Sequence, residues 1–377
     1  MRQALETGTA RDAAGTLQGS GRESHGEHRY LLLDGLRGLL AMAVAIHHFS
    51  STSGHRELFA SAPLAVDFFF CLSGFVVAHA YEQRLRTGMG AAGFMRRRLT
   101  RLYPMYLVGF AFGIAVIVFT QPATMLALEE AHGVLPVVLN AVYVPLPNNV
   151  SLLVQHVLIV GALFPFNNPG WSLFFELVAN AMYVVVAFFA DGWLTAVVAL
   201  LGVGLAAAWW LVGPEPGWSL HTMLGGFFRV GFSFFAGVLV FRWRDRLPRF
   251  GPAMALAVVL AVTAMVLVPR AAWHSLYWIA AAVVLVPALV ALGAACSIPE
   301  SPLPRRLCEY SGRISYPVYC LHYPLLMLFP LWNDTRSVAH GASLLFFVVA
   351  TLVISHALLV WFDEPFRASL ATRRHAT

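Results

Sequence analysis

Residues 31–49 read Leu31-Leu32-Leu33-Asp34-Gly35-Leu36-Arg37-Gly38-Leu39-Leu40-Ala41-Met42-Ala43-Val44-Ala45-Ile46-His47-His48-Phe49, an apolar run interrupted by ionisable groups. Arg37 and His48 are 11 residues apart, so on an α-helix they end about 20° apart around the axis and about 16 Å apart along it. Asp34 falls about 40° from His48 on the same side, whereas His47 is turned about 80° from Arg37. The run therefore presents a polar stripe on one face of a helix that lipid would prefer bare. Ionisable groups within a membrane span are costly and mark a pathway or a site. Ala41, Val44 and Ala45 lie between Arg37 and His48 near that face, which is expected to line a groove rather than a packed seam.

Composition supports reading the run as a membrane span. Hydrophobic residues make up 59% of the 377-residue chain and charged residues 12%, with a mean hydropathy of +0.70. Soluble domains carry about 25% charged residues, so an ordinary soluble enzyme is excluded. The length suffices for about ten spans of about 20 residues each. The net charge of +6 comes from arginines grouped in a few loops, which fits the positive-inside rule rather than nucleic-acid binding. Cys71, Cys296, Cys308 and Cys320 show neither metal-ligand nor disulfide spacing. The scattered histidines form no H-x-x-x-H or H-E-x-x-H cluster, so no metal site is expected.

Apolar runs predict ten spans, near 31–50, 62–81, 102–120, 171–190, 193–211, 222–241, 252–268, 275–295, 314–331 and 341–362. Arg84, Arg86, Arg96, Arg97, Arg98 and Arg101 assign the second connection to the cytoplasm. Counting back from the end, Arg373–Arg374, then Arg305, Arg306 and Arg313, then Arg242, Arg244, Arg246 and Arg249 mark three more cytoplasmic positions. Both sets agree only if 121–170 enters and leaves on the outer side. That segment holds six prolines, which leave no uninterrupted 20-residue helix, so a re-entrant or interfacial segment is expected in preference to a pair of short helices.

The expected fold is an all-α integral membrane protein of about ten transmembrane helices with both termini cytoplasmic. Residues 1–29, polar and rich in Gly, Ser, Glu and Arg, are expected to be a disordered cytoplasmic tail. Residues 30–367 would form one transmembrane domain, and 368–377 a second cytoplasmic tail. Ala41-Met42-Ala43 resembles a signal-peptidase site, but Asp34 and Arg37 break the apolar run, so an uncleaved first span is expected.

Further residues could carry chemistry. With the expected orientation His48 lies near the outer end of the first span, a candidate general base. Asp67, one turn from the outer surface, would orient or charge-stabilise an imidazole, or serve as a helix cap or packing group. Arg98 and Arg101 are three apart and share a helical face; guanidinium forks suit phosphates, or they signal topology alone. Trp171-Ser172-Leu173-Phe174-Phe175-Glu176 opens the fourth span. It sets Glu176 about one and a half turns down beside an outer vestibule, as an acceptor-binding group or second acid/base, with an interfacial tryptophan anchor and structural ion pair as the alternative. His322 falls mid-membrane in the ninth span, sharing a face with Tyr319. Asp363-Glu364-Pro365-Phe366-Arg367 reads as a structural clasp.

Together these motifs resemble membrane-bound acyltransferase family 3, in its stand-alone form without an appended hydrolase-like domain. The resemblance covers Tyr30 to about Arg367 and rests on five ordered signatures. They are Leu33-Asp34-Gly35-Leu36-Arg37 with His48; Val66-Asp67-Phe68-Phe69 through Leu72-Ser73-Gly74-Phe75; Arg98-x-x-Arg101-x-Tyr103-Pro104; Trp171-Ser172-Leu173-x-x-Glu176; and Ile314-Ser315-Tyr316 through Tyr319-x-x-His322-x-Pro324. Cys71, Cys320 and Ala179-Asn180 depart from the family's habits.

The resemblance implies that Arg37, His48, Arg98 and Arg101 are essential. It also implies an acyl-CoA donor, with acetyl-CoA expected, as a cytoplasmic co-substrate rather than a permanently bound cofactor. The expected acceptor is a hydroxyl of a surface glycan or lipid-linked sugar, with no nucleic-acid partner, and the expected location is the bacterial cytoplasmic (inner) membrane. On this reading His48, Asp67 and Glu176 serve catalysis, while Asp34, Arg37, Arg98, Arg101, Trp171, Ser172, Tyr319 and His322 bind substrates. The competing class is a multispanning transporter or flippase with the buried charges as a relay.

Overall fold

Within hydrocarbon a backbone polar group must bond inside its own segment, and among the described residues helices occupy most of each apolar run. The computed structural model describes residues 30–52, 57–147, 151–154, 157–213, 215–271, 273–329 and 340–373. The expected disordered tail at 1–29 lies outside them. In chain order the elements are α1 (Leu31–Thr52), α2 (Leu64–Arg86), α3 (Ala91–Thr120), α4 (Pro122–His132), α5 (Leu135–Ala141), β1 (Ser151–Val154), β2 (Val157–Val160) and α6 (Gly170–Val186). There follow α7 (Asp191–Val212), α8 (Met223–Trp243), α9 (Pro252–Leu267), α10 (His274–Ala280), α11 (Val286–Ala295), α12 (Pro302–Leu328), α13 (His340–Leu358) and α14 (Glu364–Arg373). A π-helical turn joins α10 to α11 and another joins α13 to α14.

Seven helical stretches, those of α1, α2, α3, α7, α8, α10–α11 and α13–α14, are long and apolar enough to cross a membrane. The apolar helices α6 and α9 are shorter. The 27-residue α12 carries Arg305, Arg306, Glu309 and Arg313 in its first half, with its apolar residues concentrated in the second. Helix α14 continues past residue 367 to Arg373, so the expected boundary of the C-terminal tail falls inside a helix.

The segment 121–170 contains more than the expected all-α fold allows. Helices α4 and α5 have 11 and 7 residues, and β1 and β2 pair antiparallel with Ser151 opposite Val160. Neither helix approaches the roughly 20 residues of a span. The segment then turns back into the protein. Tyr103 and Tyr106 of α3 donate from their hydroxyls to the carbonyls of Ala141 and Asn140 at 2.8 and 2.6 Å. Residues 162–167 are buried, and the Asn167 amide donates to the Cys320 carbonyl at 2.9 Å. That carbonyl is free because Pro324, four residues on, has no N–H to offer it. Gly109 and Gly113 make room for this return, since a Cβ on Gly113 would lie 1.8 Å from the Phe166 carbonyl oxygen.

Small residues likewise let the long helices touch, as membrane helices commonly do. Helix α1 packs along α12 where Gly38 meets Ser311 and Gly35 meets Cys308. Helix α2 packs on α8 with Gly74 against the Phe234 carbonyl and Gly237 against the Cys71 carbonyl.

The connections collect on two opposite faces. On one, Glu82 holds Arg86 and Arg242 at 3.2 and 3.1 Å. Those arginines cap the end of α6, donating to the Ala187 and Phe189 carbonyls at 3.0 and 2.8 Å, as cations suit a helix C-terminus. On the other, Arg270 bridges Glu57 and Glu215 at 3.2 and 3.1 Å.

Because a Cβ at Gly74 or Gly237 would meet a backbone carbonyl at 1.8 Å, Gly74→Ala and Gly237→Ala should each destabilise the protein by about 1–3 kcal/mol. Gly93→Ala, where a Cβ meets nothing within 4 Å, should not. Thermal unfolding of the detergent-solubilised protein checks this.

Candidate active site

The stripe on α1 faces α12 along its whole length. Arg37 donates through Nε to the Ser315 hydroxyl at 2.9 Å and through a terminal nitrogen to the Gly312 carbonyl, and Asp34 lies 3.8 Å from its guanidinium. Farther along the pair, the His48 ring stacks on His322, with centroids 5.4 Å apart and planes 21° apart. The edge of Tyr323 closes on His48 at 5.6 Å. His47 points elsewhere, toward the backbone of Leu58 and Phe59. Since Arg37 meets residues 312–315 and His48 meets 322–323, the helices run parallel.

Between the two ends the expected groove is a packed seam. Ala41, Val44 and Ala45 are buried, and Ala41 packs with Ile314, Val318 and Leu359. The glycines and serine of the α1–α12 contact bring the backbones too close to leave a channel there. Phe69, Ser73 and Glu176, by contrast, remain half-buried on the α2 and α6 side.

Glu176 is expected about one and a half turns down beside an outer vestibule. It accepts from Arg98 at 2.8 Å and from the Ser73 hydroxyl at 2.7 Å. The buried stretch 162–167 delivers the start of α6 inside the protein, so six residues bring the carboxylate to the arginine end. Arg98 is only 5% exposed and neutralised by Glu176. Arg101 is exposed, and together with Arg367 it lies near enough to act electrostatically on Arg37. Arg367 also holds Asp363 at 2.9 Å, and Glu364 binds Arg313, so the C-terminal clasp is present. Arg37, Arg98, Arg101 and Arg367 thus gather at one end of the α1–α12 pair, an arrangement suited to an anion.

Asp67 is occupied differently from the expectation that it orients an imidazole. Arg229 of α8 donates to both its carboxylate oxygens, at 2.9 and 2.7 Å, the Ser233 hydroxyl adds a bond at 3.3 Å, and the ion pair is buried. Arg229 also donates to the Pro63 carbonyl at 2.9 Å and lies 5.6 Å from the centre of the Trp171 ring. Trp171 is buried and packs against Arg229, Phe70 and Phe175. Ser172 donates to the Pro169 carbonyl at 2.9 Å and shares a 2.7 Å bond with the Tyr319 hydroxyl. Tyr319 and His322 share a face as expected, their rings 5.8 Å apart.

Sequence reasoning passed over Arg229, and named Ser315 only within a motif and Arg367 only as part of the clasp. Arg229 had a signal: it is an arginine inside the apolar run 222–241, and such a charge requires a buried partner of opposite sign. Ser315 and Arg367 had none beyond lying in the motifs. Among the described residues no group of three or more His, Cys, Asp or Glu is placed to hold a metal ion.

Breaking a buried pair leaves an uncompensated charge, so Asp67→Asn and Arg229→Leu should each cost about 3–5 kcal/mol of stability. The double substitution Asp67→Asn/Arg229→Leu should recover part of that loss in thermal unfolding.

No solved structure matches this chain. Protein 2 in the picA locus of Rhizobium radiobacter is 36% identical over 167 residues, covering 41% of this chain and 81% of that protein. The family model described as an acyltransferase domain, that of acyltransferase family 3, matches residues 30–361. That span holds the α1 stripe, the Arg98–Glu176 pair and the His48–His322 stack, and the chain belongs to this acyltransferase family.

Proposed function

We propose that this membrane acyltransferase moves an acetyl group from acetyl-CoA to a hydroxyl of a surface glycan or lipid-linked sugar. On this reading it crosses the bacterial inner membrane ten times with both termini in the cytoplasm. The observation that carries the proposal is the pairing of α1 with α12. One end gathers Arg37, Arg101 and Arg367, and the other stacks His48 on His322, about 16 Å farther along the helix.

The arginine end would receive the phosphates of the donor, for which guanidinium forks are well shaped. Arg37 is pre-set for that task by Ser315 and Gly312, and Arg101 is the exposed member of the group. Arg98, neutralised by Glu176, would act by holding α3 and α6 in place. The extended arm of the donor would then run along the half-buried side chains of Phe69, Ser73 and Glu176, because the α1–α12 seam itself is closed.

At the far end His48 would remove the proton from the acceptor hydroxyl as its oxygen attacks the thioester carbonyl. Collapse of the tetrahedral adduct breaks the C–S bond, and the imidazolium returns the proton to the departing thiolate. The protein ends as it began, with ester and free thiol as products. Asp67 and Glu176 take no proton in this scheme, since each is held by an arginine. Nothing in the structure or the family match favours a transporter or flippase.

Purified protein in lipid nanodiscs, given labelled acetyl-CoA and an extract of membrane glycans, should produce labelled ester. His48→Ala should lower that rate by about 10²–10⁴-fold while leaving thermal unfolding unchanged. Normal transfer by this variant would overturn the mechanism. Arg37→Ala should mainly raise the KM for acetyl-CoA.

A further inference from the structure

His322 is fully buried in α12. Its Nδ1 lies 3.1 Å from the carbonyl oxygen of Val318, one turn earlier. A carbonyl can only accept, so Nδ1 carries the proton, and in the neutral ring Nε2 is left with a lone pair. That Nε2 is buried without a hydrogen-bond partner. A buried acceptor lacking a donor is costly, and native proteins rarely leave one without reason.

The surrounding groups do not supply the donor. His48 lies closest as a ring, with centroids 5.4 Å apart and planes 21° apart, and gives the His322 Nε2 no hydrogen bond. The Tyr323 ring meets His322 at right angles with centroids 6.4 Å apart. The Tyr319 hydroxyl, on the same face of α12, is bonded to Ser172 at 2.7 Å. Because Ser172 donates to the Pro169 carbonyl, the tyrosine proton is directed to Ser172.

The hydroxyl that becomes acylated has one proton, and His48 takes it. The unpartnered His322 Nε2, on the ring next to His48, calls for a second O–H on the same molecule.

We propose that His322 is an acceptor-binding residue whose Nε2 accepts a hydrogen bond from a hydroxyl adjacent to the one acylated. The site thereby selects vicinal diols over lone alcohols. This rests on the reading of His48 as the base that receives the acceptor hydroxyl. No bond is made or broken at His322; it fixes the diol so that the neighbouring oxygen faces His48 and the thioester.

The test compares propane-1,2-diol with propan-1-ol as acceptors for the nanodisc-embedded protein and labelled acetyl-CoA. The wild type should favour the diol by about tenfold or more in kcat/KM, the effect of roughly one buried hydrogen bond. His322→Phe keeps the ring and removes the lone pair. It should abolish that preference while leaving the KM for acetyl-CoA unchanged. His322→Gln, which offers an amide oxygen, should restore part of it.

Equal use of both alcohols by the wild type, or a preference that survives His322→Phe, would overturn the proposal. So would consumption of acetyl-CoA with transfer to neither alcohol, which leaves the acyltransferase reading standing. No consumption of acetyl-CoA under any condition would instead defeat that reading, and this proposal with it. A second measurement needs no turnover. In ¹⁵N-histidine-labelled protein, propane-1,2-diol should shift an unprotonated Nε2 resonance that is missing from the His322→Gln sample. A protonated Nε2 at His322, or no shift, would count against the proposal equally.

Discussion

The hydrogen bond from the Asn167 amide to the Cys320 carbonyl sets the geometry of everything around it. It exists because Pro324 cannot donate to the carbonyl four residues before it, leaving an unsatisfied acceptor in the middle of α12. The chain answers by bringing a loop in from the side, through the space that Gly109 and Gly113 leave on α3. Irregular backbone at this depth is tolerable only when surrounded by protein, and α3, α12 and the Tyr106–Tyr143 stack surround it. The depth of that loop fixes where α6 begins, and so which residues Trp171, Ser172 and Glu176 can reach.

Two charge arrangements of different kinds follow. The Asp67–Arg229 pair, buried and fully hydrogen-bonded, ties α2 to α8 and lies beside Trp171, and its charges cancel. At the arginine end cations outnumber the carboxylates that hold them. Arg98 belongs to Glu176 and Arg367 to Asp363, while Arg101 remains exposed beside Arg37. The first arrangement spends its electrostatics on holding helices together. The second leaves a net positive charge at one end of the α1–α12 pair, which under the proposed function receives the donor's phosphates. Sequence motifs present both as arginines and carboxylates in apolar surroundings, and only their pairing separates the roles.

The α1 stripe was legible from periodicity alone. Arg37 and His48 share a face because 11 residues make three turns and little more, and that face meets α12 as a helix with costly polar groups must meet protein. Helix positions were legible for the same reason, since apolar runs of sufficient length have few alternatives in lipid. The groove expected along the stripe was not there. Small residues are equally suited to lining a channel and to letting two backbones close on each other, and nothing local distinguishes the two outcomes. The pairing of Glu176 with Arg98 was not legible, because a count along one helix does not show which neighbour lies beside it.

What the sequence by itself determined, then, is everything governed by local period and composition. That covers a helical membrane protein, the apolar runs that form its helices, and the set of polar side chains that must find partners. What only the tertiary structure decided is which partner each one found. Asp67 took Arg229 rather than a histidine, Arg98 took Glu176, and His48 stacked on His322. The physical reason is that a charge buried among apolar helices must be neutralised or hydrogen-bonded, but Coulomb attraction is satisfied by any suitable neighbour. The choice falls to the backbone geometry that glycines and prolines permit, and those contacts join residues far apart in the chain.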